Sequence, residues 1–118
     1  MAKSDIDRIR HIKLYCEDIA ETIRRYGDSF ITFTQDKDFY KSVSMSVLQI
    51  GELSGGLSDG FRNATRSQMP WGMIKGMRNR FAHAYDIMEK SDVWETATQD
   101  IPNLLIFCDG IIERGEAD

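Results

Sequence analysis

The stretch Trp71-Gly72-Met73-Ile74-Lys75-Gly76-Met77-Arg78-Asn79-Arg80-Phe81-Ala82-His83-Ala84-Tyr85 holds most of the polar chemistry this chain could use. If Trp71 to about His83 is helical, a period near 3.6 aligns Trp71, Ile74, Met77, Phe81 and Ala84 along one side, a stripe wide enough to bury. Roughly opposite fall Gly72, Lys75, Gly76, Asn79 and His83, with Arg78 and Arg80 at the margins. One side is core; the other is small, polar and basic.

Working outward, Pro70 is placed as a first-turn proline that starts this helix. Upstream, a long helix beginning near Asp38 carries Tyr40, Val43, Val47, Ile50 and Leu53 on one side, widened by Phe39 and Leu48. Ser42, Ser44, Ser46 and Gly51 are small enough to let a neighbouring helix approach. Glu52 is a lone acid among small and apolar residues, so it calls for a partner. Gly55, Gly56 and Gly60 weaken the helix towards its end, and 63–69 reads as a polar loop. The first helix takes Ser4 as its N-cap, buries Ile6, Ile9, Ile12, Cys16, Ile19, Ile23 and Tyr26, and stops at Gly27. Residues 28–37 read as a connector whose aromatics tuck into the core.

Downstream of Tyr85, Ser91 is the expected cap of a last helix carrying Val93, Trp94, Ala97 and Ile101, which Pro102 must kink or restart. Leu104, Leu105, Phe107, Cys108, Ile111 and Ile112 then bury, and 115–118 reads as a loose tail. The expected architecture is all-α: an antiparallel bundle of four to five helices in one domain, 1–118.

With 118 residues there is enough chain for one core. No apolar run is long enough to span a bilayer and the N-terminus lacks the apolar core of a signal peptide, which predicts a cytoplasmic protein. Cys16 and Cys108 lack a second Cys or His at metal-ligand spacing and read as reduced core thiols. The net charge of −4 argues against a nucleic-acid partner. Its distribution argues for one. Between Asp59 and Asp86 there is no acid, yet Arg62, Arg66, Lys75, Arg78 and Arg80 all fall there, with His83 beside them. Such a patch on an acidic body can hold a phosphate backbone with strong salt dependence.

No glycine-rich phosphate loop, metal-ligand cluster or Ser/His/Asp ordering appears, which removes most enzyme classes and leaves Arg, Asn and His. On a regular helix Asn79 and His83 share a face, but Arg78 and His83 point about 140° apart. Either the helix ends at His83 and re-aims the imidazole, or a second copy of the chain completes the site. Gly72 and Gly76 lie on the Asn79–His83 side, where another helix could come close; a crossing within one chain is the alternative.

These residues resemble the HepT-like branch of the HEPN superfamily, whose Arg-x4-His-x-Tyr signature stands here as Arg78, His83 and Tyr85, with Asn79 as its polar position. Gln49-Ile50-Gly51-Glu52, Pro70-Trp71, Val93-Trp94-Glu95 and Asp100-Ile101-Pro102 extend the likeness over nearly the whole chain. The resemblance implies a helical bundle that dimerises through the motif-bearing region. It also implies the toxin of a type II/VII-like toxin–antitoxin pair, which cuts RNA without a metal or other cofactor. The partner would be a small MNT-type nucleotidyltransferase antitoxin. Arg78, Asn79 and His83 would be catalytic, Lys75 and Arg80 would hold flanking RNA, and Tyr85 would receive AMP. The rival reading is a non-catalytic helical module that binds a nucleotidyltransferase and helps present its substrate.

Overall fold

The computed structural model describes residues 2–117, with side chains described for residues 2–115. Seven α-helices follow one another: α1 (Lys3–Tyr26), α2 (Phe30–Gln35), α3 (Lys37–Gly55), α4 (Asp59–Thr65), α5 (Trp71–Ala84), α6 (Lys90–Glu95) and α7 (Ile101–Ala117). A π-helical turn, Thr96–Asp100, joins α6 to α7 without a break. The architecture is therefore the all-α bundle expected, with two short helices added.

α1 lies between α3 and α7, and α3 takes α5 on another side. The pairings run antiparallel. Near one end Ser58, just past α3, bonds to Asp5 of α1, and near the other Tyr26 of α1 stacks on Phe39 of α3 at 4.7 Å. Ile9, Ile12, Cys16 and Ile19 of α1 meet Val43, Val47 and Ile50 of α3 and Leu104, Cys108 and Ile111 of α7 in one buried cluster. Burial pushes both thiols up, Cys108 to about 12, so they stay protonated and unreactive. Gly27 ends α1 at φ 99°, a backbone conformation that favours glycine.

Local capping corrects several expectations. α1 starts at Lys3 with no side-chain cap, so Ser4 is not its N-cap. Asp5 instead turns inward, 3% exposed, and accepts from the Ser58 N–H (2.8 Å) and hydroxyl (2.7 Å). The 28–37 connector contains a helix, α2, because the Ser29 hydroxyl accepts from the Thr32 N–H. Its Phe33 is fully buried as expected, while Phe30 and Ile31 remain exposed. Ser58 likewise caps α4 at the Phe61 N–H, so the 63–69 stretch is helical through Thr65. Ser91 makes no cap for α6, which begins at Lys90.

The irregularity expected at Pro102 is the π-helical turn Thr96–Asp100, after which α7 begins at Ile101. The Ile101 N–H reaches back five residues to the Thr96 carbonyl, and this widened turn admits the proline ring. The tail is helical through Ala117, with Gly115 pressed against Ile6 so closely that a Cβ there would overlap it; Asp118 lies outside the described residues. No helix among the described residues is long and apolar enough to cross a membrane.

Candidate active site

α5 is anchored at three points. At its start the Trp71 indole N–H donates to the Thr65 hydroxyl (2.9 Å), and the ring packs edge-on to Phe107. Midway, α5 crosses Gly51 of α3, where a Cβ would overlap the Cβ and Cγ of Arg78, so glycine is what allows this approach. Near its end Phe81 is buried, and the Tyr40 hydroxyl donates to the Tyr85 carbonyl just beyond the last turn. Burial pushes the Tyr40 phenol up, with Asp86 adding, which keeps it a neutral donor. The apolar stripe read from the sequence is thus the inner side, with Ile74 and Met77 half-buried between Trp71 and Phe81 and Ala84 half-buried beyond them.

Glu52 finds its partner in Arg78. Its Oε1 accepts from Nε at 2.7 Å and lies 2.5 Å from Nη2 as an ion pair, while Nη1 donates to the Asn79 side-chain oxygen at 3.0 Å. A guanidinium has five N–H bonds, and the two hydrogen bonds to Glu52 and Asn79 leave N–H bonds on both Nη atoms for a ligand. The side chains of Arg78 and Glu52 are 34% and 47% exposed, so the pair contributes at most ~1 kcal/mol of stability. What it does is fix the direction of the fork.

Lys75, Arg78 and Asn79 line a cleft of about 780 Å³ between the end of α3, α4 and the start of α5. Arg62 and Arg66, which the sequence reading counted in the basic run without giving them a site role, line it too. The acid-free run from Asp59 to Asp86 was their signal. Arg80 is not among the lining residues; it lies 3.7 Å from Asp92 of α6. His83 is exposed and outside the cleft, and Tyr85 is 39% exposed. α5 remains helical through Ala84, so the helix does not end at His83. Within one chain Arg78 and Asn79 come together and His83 stands apart. Gly72 and Gly76 both face open space: a Cβ on either would meet nothing within 4 Å, so among the described residues no helix crosses there.

A family model described as "Ribonuclease HepT-like" matches residues 12–111, a span that takes in α5 and Glu52 whole. The chain belongs to the HepT-like ribonuclease family. Among HepT-like relatives, it is 33% identical over 96 residues to a protein of Caldanaerobacter subterraneus subsp. tengcongensis named "Putative RNase", covering 81% of this chain and 83% of that one. It is 32% identical over 100 residues to "Probable ribonuclease HepT" of Thermococcus cleftensis, covering 80% and 90%. A "Putative RNase" of Methanocaldococcus jannaschii is 29% identical over 103 residues, covering 80% and 85%. No solved structure matches.

Proposed function

We propose that this HepT-like chain is a toxin that cuts cytoplasmic RNA as a dimer, with Arg78, Asn79 and His83 carrying the reaction and Lys75 and Arg80 holding flanking RNA. The observation that carries this reading is the shape of α5. A regular helix through Ala84 keeps Arg78 and His83 apart, while glycines on the His83 side face open space. A second α5 seated there would supply what one chain lacks.

In such a site one His83 accepts the proton of a ribose 2′-hydroxyl as its oxygen attacks the adjacent phosphorus. The bond from phosphorus to the 5′-oxygen breaks, and the other His83, protonated, donates to that oxygen. The products are a 2′,3′-cyclic phosphate and a 5′-hydroxyl. The free Nη N–H bonds of Arg78 meet the developing charge on the phosphate oxygens, and Asn79 and Glu52 hold the fork in place. Tyr85, just past the helix, is the residue an MNT-type nucleotidyltransferase antitoxin would load with AMP. The added charge and bulk then repel and exclude the RNA phosphate.

The test is cleavage of an RNA by the purified chain in EDTA, read by end-group analysis. Cyclic phosphate and 5′-hydroxyl ends that vanish with His83→Ala support the reading; metal-dependent or different ends overturn it. A second reading, a module that binds the nucleotidyltransferase without cutting, draws on the Glu52–Arg78–Asn79 chain, which already engages motif side chains within the fold. Harmless expression in a bacterial host together with tight partner binding would favour it.

A further inference from the structure

The cleft beside Arg78 runs away from His83, towards α4, and its charges are unevenly used. Four cations line it, Arg62, Arg66, Lys75 and Arg78, against one carboxylate, Glu52. Two of the four are committed. Arg78 is forked onto Glu52, and Arg62 donates to Asp59 at 2.6 Å and to the Gly55 carbonyl at 3.1 Å. Arg66, at the C-terminal cap of α4, and Lys75, on the facing side of α5, have no ion pair among the described residues. Both line the same concave surface.

The rest of the cleft suits a chain rather than a small polar ligand. Met69, Pro70 and Trp71 form an apolar wall, and the Trp71 indole N–H is already satisfied by Thr65, so that wall offers no base-reading donor. Gly55 keeps the rim low on the α3 side. Its volume, about 780 Å³, lies within the ~300–1,000 Å³ typical of ligand clefts.

We propose that this cleft is a separate RNA subsite, in which Arg66 and Lys75 grip a phosphodiester group of the strand flanking the scissile bond while a base rests on the Met69–Pro70 wall. The inference rests on the RNA-cutting reading and adds α4 to it. Phosphate contacts of this kind position a strand without reading its sequence. The subsite therefore raises affinity for long RNA and leaves the choice of bases elsewhere.

The experiment is fluorescence anisotropy of a fully 2′-O-methylated single-stranded oligoribonucleotide, which cannot be cut by 2′-hydroxyl attack, titrated at rising salt. Wild type is compared with Arg66→Glu, Lys75→Gln and Arg25→Ala; Arg25 is exposed at the far end of α1. Arg66→Glu is expected to weaken binding roughly tenfold or more, and each lost cation to reduce the salt slope by about 0.7. Arg25→Ala is expected to match wild type. In parallel, cleavage of a long RNA should show a raised KM in the cleft variants with kcat little changed.

If wild type binds and cuts RNA while both cleft variants match it in affinity, slope and KM, the subsite is overturned and the ribonuclease stands. Loss of nucleotidyltransferase binding in those same variants would then assign the cleft to an acidic protein surface. If wild type neither binds nor cuts RNA, the subsite falls together with the reading it rests on.

Discussion

α3 and α5 lie side by side and are used in opposite ways. α3 buries Phe39, Tyr40, Val43, Ser44, Val47, Ile50, Gly51 and Ser54, because α1 covers one side of it and α5 another. α5 buries only Trp71 and Phe81, and leaves Lys75, Asn79, Arg80 and His83 in the open. The sparsely buried helix is the one rich in phosphate-seeking side chains. The fold thus spends its core contacts on holding α5 at three points and leaves the outer face of α5 for a ligand or a partner.

The largest expected effect lies on that outer face. Arg78→Ala and His83→Ala should each lower RNA cleavage by roughly 10²-fold or more, the scale of losing an electrostatic or acid–base group. Their thermal midpoints should stay within a few degrees of wild type, because neither side chain is in the core and the Glu52 pair is exposed. Retained cleavage in either variant would remove that residue from the site.

The complementary change on α3 should reverse the pattern. Ile50 is fully buried, and Ile50→Ala should cost about 2–5 kcal/mol of stability by denaturant titration. Met73 on α5 is 75% exposed, and Met73→Ala should stay within ~0.5 kcal/mol. Equal costs at the two positions would mean that α5 is covered as fully as α3.

A pair of glycines sharpens the comparison further. Gly51→Val places a side chain into Arg78 and should cost about 1–3 kcal/mol. Gly76→Leu meets open space within the chain and should not lower the stability of the single chain, since leucine favours a helix over glycine, but it should weaken self-association and lower activity. An unchanged sedimentation profile for Gly76→Leu would put the interface elsewhere. The smallest effect is expected at Tyr85→Phe, which keeps the ring and should cut RNA almost as wild type does. It should gain no AMP mass when incubated with its nucleotidyltransferase, ATP and Mg²⁺, whereas wild type should.

How much was legible follows the same division. The stripes of α1, α3, α5 and α7 are long and periodic, so Ile9, Val47, Phe81 and Leu104 declared themselves. Gly27 and Pro70 marked their boundaries for local steric reasons. The short helices α2 and α4 have too few residues for a period, and each depends on one serine cap, Ser29 or Ser58, among many serines that cap nothing. Nothing local marks Asp5 as buried, because its partner Ser58 is 53 residues away. Glu52 was recognisable as needing a partner, but which arginine it meets is a matter of how α5 crosses Gly51. The same crossing, together with the turn of α4, brings Arg66 and Lys75 to one cleft, and no spacing along the chain encodes that.

The claim that a second copy completes the site is tested most directly by poisoning it. A fixed amount of wild type is unfolded and refolded with increasing His83→Ala chain, and cleavage is measured at saturating RNA. If each site needs His83 from both copies, random pairing in a two-fold dimer should cut the activity to about half at equal amounts and to about a tenth at tenfold excess of the variant. Activity that stays constant however much variant is added would contradict the account, and would place the whole reaction within one chain.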